Sequence, residues 1–307
     1  MLLKIRELAM KRIVLFLAVN ILVVATISIL ISMLGIGSYM TSAGLQYGPL
    51  LAFCFLWGMV GSLISLLISK KMAKWMMGVQ LITLEGPHKN LVDSVHRLAR
   101  RAGLTEMPEV GIYQSETMNA FATGPSRNNS LVAVSSGLLV NMDPHEVEGV
   151  LAHEVAHIAN GDMVTMALVQ GVINAFVMFF SRIVAFAITQ AMSSKDDRDS
   201  RPSPFMQMML VFALDIIFGI LASPIVAWFS RYREFRADRG GADLAGKEKM
   251  ISALLALSRA YPQLEMVKEE ANPNFKSMQI SSKDGVMRIL STHPRLSERI
   301  ARLQNVI

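Results

Sequence analysis

DPHEVEGVLAHEVAHIANGD, residues 143–162, is the stretch on which the reading of this chain turns. Asp143 followed by Pro144 is a helix start, an N-cap carboxylate and then a proline at the first helical position, where its missing N–H is not needed. The helix is expected to run to about Asn160. Within it, His153-Glu154-Val155-Ala156-His157 sets two imidazoles four residues apart, which in a helix means about 40° of rotation and about 6 Å of rise. Two rings at that spacing can converge on one metal ion, and zinc accepts such nitrogens at about 2.0–2.1 Å. Glu154, beside the first histidine, is placed to act as a general base on water at that ion. The competing reading is a helix with two ordinary surface histidines. The defined helix start and the small or apolar Val150, Leu151, Val155 and Ala156 between the polar positions count against it.

A catalytic zinc usually has three protein ligands and one open position. Cys54 lies in an apolar run, and no histidine follows closely behind His157. The best third candidate is Glu234, in Arg233-Glu234-Phe235-Arg236-Ala237-Asp238. Glu234 and Asp238 share a helix face, so one can bind metal while the other accepts the far N–H of a ligand histidine. Acidic pairs at this spacing are also common on solvated helices, so spacing alone leaves the assignment open.

Outward from the helix the chain turns apolar. Runs at 13–34, 49–69, about 163–192 and 205–230 are each long enough to cross a bilayer, for which about 20 residues suffice. The first lacks a clear cleavage site and is longer than a signal core, so a retained anchor is expected. Lys4, Arg6, Lys11 and Arg12 precede it, and Lys70, Lys71 and Lys74 follow the second run. That distribution puts the N-terminus and the segment after Lys70 in the cytoplasm. Arg182 and Asp215 lie inside the third and fourth runs, equally far from a loop tip near Arg198 and Asp199. Antiparallel helices would bring them to one depth to pair; separate snorkelling is the alternative.

The intervening segments read as water-soluble. Pro87–Arg101 reads as an amphipathic helix, and Glu109–Tyr113, Asn119–Thr123 and Ser130–Ser135 as short strands, the last two flanking the turn-rich Gly124–Asn129. Asn119, Ala120, Phe121 and Ala122 read either as an edge strand that pairs with extended substrate or as an ordinary hairpin strand. The segment after Arg231 is expected to be soluble and helical, apart from a loose polar stretch near Ala271–Gly285.

Composition agrees with a membrane protein carrying a soluble part. The chain has 307 residues, 18% charged, and a mean hydropathy of +0.40. Net charge is +6, but the basic residues cluster beside apolar runs and form no stripe with exposed aromatics, so lipid rather than nucleic acid is the expected partner. One cysteine, Cys54, rules out an intrachain disulfide. His88, His96 and His145 read as surface residues.

The His-Glu-x-x-His segment with Asn160-Gly161-Asp162, the Glu234–Asp238 motif and the late Thr292-His293-Pro294 together resemble the HtpX heat-shock membrane proteases, relatives of the CAAX prenyl proteases and of the Oma-type mitochondrial proteases. The resemblance covers essentially the whole chain. It implies a mainly α integral membrane protein of the bacterial inner membrane, with four transmembrane helices and a cytoplasmic α+β zincin-like (gluzincin-type) protease domain holding a small β-sheet. The N-terminal hairpin would occupy 1–74, the protease domain 75–162 and 231–307, and a second hairpin 163–230. It further implies one Zn2+ per subunit on His153, His157 and Glu234, with Glu154 catalytic and Asp238 bracing a ligand. Asn160 and Asp162 brace the site or simply end the helix. His293 donates to the oxyanion, or merely belongs to a helix start with Thr292 and Pro294. Protein substrates, mainly membrane proteins, are expected, with oligomeric state left open. A CAAX-processing protease, a zinc hydrolase of other amides, a channel using the intramembrane charges and an inactive scaffold are the competing classes.

Overall fold

A computed structural model describes residues 44–192, 203–260 and 293–305, together with Thr26, Ile27, Ile29, Met33, Met40 and Thr41. Most of the expected first span, its basic flank, the loop around Arg198 and Asp199, the polar stretch 271–285 and Thr292 lie outside the described residues. A two-residue hairpin, β1 (Met40–Thr41) and β2 (Gly44–Leu45), leads into helix α1 (Tyr47–Met77). Then come β3 (Gln80–Leu81), α2 (Lys89–Arg101), β4 (Glu109–Tyr113), β5 (Ala120–Ser126) and β6 (Asn129–Ser135). Helices α3 (Ser136–Asn141), α4 (Pro144–Asn160), α5 (Asp162–Met192), α6 (Pro204–Ala245), α7 (Lys247–Ala260) and α8 (Leu296–Asn305) follow. The strands foreseen at 109–113, 119–123 and 130–135 are present within a few residues. The short β1, β2, β3 and α3 are not among the elements expected from the sequence.

The chain divides into two compact units, residues 1–65 with 167–223 and residues 66–166 with 224–307. In the first, α1, α5 and α6 are each long and apolar enough to cross a membrane. Three such spans are found among the described residues; the fourth expected run, 13–34, lies mostly outside them. Their outward residues, such as Phe55, Phe176, Phe212 and Ile220, are exposed, as suits side chains whose solvent is lipid. Helix contact is made through small residues. A Cβ on Gly58 would meet the backbone of Ala175 at 2.7 Å, so only glycine admits that approach. Ser62 donates its hydroxyl to the Ala167 carbonyl in the same seam.

Arg182 and Asp215 face each other, with Nη1 4.0 Å from Oδ1. The guanidinium also donates to the Met178 carbonyl at 3.0 Å and lies 5.7 Å from the Phe53 ring centroid. This favours pairing over separate snorkelling.

The second unit has a four-stranded sheet in the order β3-β4-β6-β5, with β4 and β6 parallel and the other pairs antiparallel. Strand β6 is buried on both faces. Val132 and Val134 turn to the larger core with Val95 and Leu98 of α2 and Leu151, Val155 and Ile158 of α4. Leu131 and Ala133 turn to the other side, with Tyr113 and Val79. Each such fully buried aliphatic side chain contributes about 1.5–3 kcal/mol. Helix α4 begins as its sequence requires. The Asp143 carboxylate accepts from the His145 and Glu146 amides at 2.8 and 2.9 Å, and the Glu146 side chain accepts from the Asp143 amide in return. It ends at Gly161, whose φ of 71° is left-handed, a conformation that glycine adopts without a Cβ penalty.

The pairing of Arg182 with Asp215 is tested by charge swaps. Arg182→Asp and Asp215→Arg should each lower the midpoint of thermal unfolding in detergent micelles, and the double swap should recover most of the loss. Additive losses would contradict pairing.

Candidate metal centre

Two helices carry the site, through residues that fall in the second unit. Helix α4 presents His153 and His157; α6, one continuous helix from the fourth apolar run through Ala245, presents Glu234 and Asp238. They meet closely because their contact residues are small. A Cβ on Gly240 would lie 2.9 Å from the Ala156 Cβ, and one on Gly241 would lie 3.1 Å from the His153 amide nitrogen. Bulk at either position would push Glu234 away from the imidazoles.

The three candidate ligands converge. His153 Nε2 lies 3.1 Å from His157 Nε2. Glu234 Oε2 is 3.5 Å from the first ring nitrogen and Oε1 is 3.4 Å from the second. Donors held about 2.0–2.1 Å from one tetrahedral ion stand about 3.3–3.4 Å apart, so separations of this size, measured to the two oxygens of Glu234 in turn, are compatible with a shared ion. Among the described residues this is the one group of three such side chains able to share an ion. The donor set, two nitrogens and a carboxylate, suits zinc.

Each ring is oriented from behind. His157 donates its Nδ1–H to Asp162 Oδ2 at 2.7 Å, and His153 Nδ1 lies 3.0 Å from Asp238 Oδ1. Both Nε2 atoms are thereby turned toward Glu234. These carboxylates are supported in turn. Arg299 grips Asp238 with two bonds of 2.7 and 2.6 Å, and Arg236 pairs with Asp162. Glu234 and Asp238 are 2% exposed, and His153, His157 and Arg299 at most 9%.

Burial opposes charge on all these groups, yet their mutual contacts prevail. The His153 pKa is lowered by burial but raised more strongly by hydrogen bonds to Asp238 and Glu234, ending at about 9. His157 shifts upward too, burial being outweighed by Asp162 and Glu234. Burial would raise the Glu234 and Asp238 carboxyls, but the histidines and, for Asp238, Arg299 hold them well below the usual carboxylate range. Carboxylates that favour a cationic ring equally favour a divalent cation that displaces its proton.

Glu154, half-buried on α4, is close enough for its charge to act on both His157 and Arg299. Exposed His293 brings Nδ1 to 3.2 Å from Glu234 Oε2. Asn160 lies apart from this network. Its amide nitrogen is buried with no hydrogen-bond partner among the described residues, so the bracing position past His157 belongs to Asp162. Asn119 exchanges backbone and side-chain hydrogen bonds with Ser135, its carbonyl accepting at 2.9 Å and its amide donating to Oγ at 3.0 Å. Strand β5 is the terminal strand of the sheet and packs against α4. By strand alternation, the backbone groups of Ala120 and Ala122 point to its outer edge. His88 and His145 are exposed, as expected. His96 differs: it is half-buried, with Nε2 3.2 Å from the Pro108 carbonyl oxygen.

Arg299 and Arg236 were not among the residues read from sequence. Arg299 had a signal: it shares a face of α8 with Leu296, Ile300 and Leu303, which pack into a core. A charge in an apolar stripe requires a buried partner.

Two substitutions probe this geometry. Asp238→Asn should weaken metal binding by about 10–100-fold, as loss of a carboxylate behind a ligand histidine does, measured by competition with a chromophoric chelator. Gly240→Val should weaken it as well, by separating α4 from α6, whereas metal affinity equal to wild type would show that close approach is not required.

Comparison with known proteins agrees with this geometry. The profile described as peptidase family M48 matches residues 86–307. A protease HtpX homolog of Bacillus licheniformis is 51% identical over 304 residues, covering 96% of this chain and 99% of the relative. Protease HtpX of a Shewanella species is 49% identical over 297 residues, covering 96% and 99%. The crystal structure of S. mikatae Ste24p has a TM-score of 0.57 at 20% identity, covering 83% of this chain and 58% of that one, a likeness of fold. With full-length relatives at this identity and a matching profile across the site, the chain belongs to peptidase family M48, as a membrane metalloprotease of the HtpX type.

Proposed function

We propose that this protein is a zinc-dependent endopeptidase of the bacterial inner membrane that cleaves cytoplasmic segments of damaged or misassembled membrane proteins. The observation that carries the reading is the convergence of two imidazole nitrogens and a carboxylate at 3.1–3.5 Å from one another. His153, His157 and Glu234 would hold the ion. Zinc bound there supplies Lewis acidity, acidifying water and polarising a carbonyl oxygen. Glu154 takes a proton from the attacking water as its oxygen bonds to the peptide carbonyl carbon. The same carboxyl then delivers that proton to the leaving amine as the C–N bond breaks. Asp162 and Asp238 keep both rings in the tautomer with Nδ1 protonated, and Arg299 fixes Asp238. His293, on the rim beside Glu234, donates a hydrogen bond to the carbonyl oxygen as negative charge develops on it. Extended substrate adds to the outer edge of β5 through the backbone of Ala120 and Ala122, next to α4.

The membrane arrangement follows the charge pattern. Four spans, the described three and one at 13–34, leave both termini and the site cytoplasmic. Residues 1–74 form the first hairpin and 163–230 the second, with the protease domain assembled from 75–162 and 231–307. Helices α4 and α5 adjoin at Gly161, and α6 carries Glu234 just past an apolar run. Both connections favour a site near the membrane surface and substrates presented there.

Glu154→Gln tests the reading. It should retain zinc by elemental mass spectrometry while casein cleavage falls by about 10²–10⁴-fold, the range for loss of a general base, and a chelator should abolish wild-type cleavage. Wild-type turnover by Glu154→Gln would overturn the assignment.

A further inference from the structure

Where α4 ends and α5 begins, a largely open cleft of about 440 Å3, referred to below as the cavity, lies beside the β5–β6 turn. Ser126, Arg127, Asn128, Asn160 and Thr165 supply its polar lining, and no carboxylate among the described residues contributes. The Arg127 guanidinium lies over Gly161, its Nε 3.2 Å from where a Cβ would stand, and it has no ion-pair partner among the described residues. The Asn160 amide nitrogen is buried and without a hydrogen-bond partner among the described residues. Asn128 accepts from Thr105 through its Oδ1 at 2.9 Å, which leaves its amide N–H groups to donate. Asp162, the nearest acidic group along the chain, is engaged with His157 and Arg236. The cavity therefore offers one cation and several donors with no compensating anion. A partnerless buried donor is costly and calls for an acceptor.

The place of the cavity narrows the ligand. Thr165 lies in the first turn of α5, a candidate membrane span. Lys70, in the last turns of the candidate span α1, donates to Asn129 at 2.7 Å in the same β5–β6 turn. The volume lies within the range of about 300–1,000 Å3 typical of small-molecule sites, more than a lone phosphate fills. We propose that this cavity binds the phosphate headgroup of an acidic phospholipid, with Arg127 as its counter-charge and Asn160 among its donors. Its lining shares no residue with the candidate metal ligands. The alternative role for Arg127, complementing the carbonyl end of α4, predicts a stability effect and no lipid preference.

Native mass spectrometry of the full-length protein in detergent micelles tests this, with phosphatidylglycerol, phosphatidylcholine and inorganic phosphate titrated separately. Phosphatidylglycerol should be retained at about tenfold lower concentration than phosphatidylcholine, and Arg127→Gln should erase that preference, a change of about 1.4 kcal/mol. Asn160→Leu should weaken retention independently, should Arg127→Gln fail to fold. Lys71→Ala, which removes an exposed charge outside the cavity, should change retention less than about twofold if the effect is site-specific rather than general surface attraction. Equal retention of the two lipids would overturn the proposal. So would unaltered preference in both cavity variants, even with a lowered melting temperature in Arg127→Gln. Saturation by inorganic phosphate at the concentration that suffices for phosphatidylglycerol would point to a free-anion site and overturn the lipid assignment.

Discussion

The close approach of α4 to α6 is the constraint on which the site depends. Neither helix alone can complete a three-ligand centre: α4 supplies two imidazoles one turn apart, and α6 supplies the carboxylate. Glycines at 240 and 241 facing Ala156 and the backbone of His153 let the two meet at a separation that larger side chains would forbid. The cost of crowding so many ionisable groups away from water is met by pairing. Each imidazole has a carboxylate behind it and each carboxylate a guanidinium behind that, so no charge is buried alone.

Much of this was legible in the sequence because it rests on local rules. The Asp143–Pro144 start, the histidine spacing and the Gly161 end are helix chemistry, and α4 occupies Pro144–Asn160 as read. The hairpin of β5 and β6 follows from two β-prone stretches about a polar turn. What stayed hidden was set by long-range contact. Glu234 is 77 residues beyond His157 in the chain, and spacing gave only an acidic pair on one face; the family resemblance singled it out. Arg299 is further still, and only its place on an apolar face hinted at a buried partner.

Asp162 shows how two readings of a residue can both hold. It stands at the first position of α5, directly after the left-handed Gly161, where a carboxylate suits a helix N-terminus. It also reaches back five residues to the His157 ring. The turn that ends one helix and starts the next is thus also a support for a ligand. The amide nitrogen of Asn160, one residue before the turn, has no hydrogen-bond partner among the described residues and takes no part in that support.

The central claim is that one ion sits among His153, His157 and Glu234. X-ray absorption at the zinc edge on the purified Glu154→Gln protein, which should not cleave itself, tests it most directly. The account predicts two imidazole nitrogens and carboxylate oxygen at about 2.0–2.2 Å, with one imidazole lost in a further His157→Ala variant. A spectrum without imidazole scattering, or one unchanged by removal of His157, would contradict it.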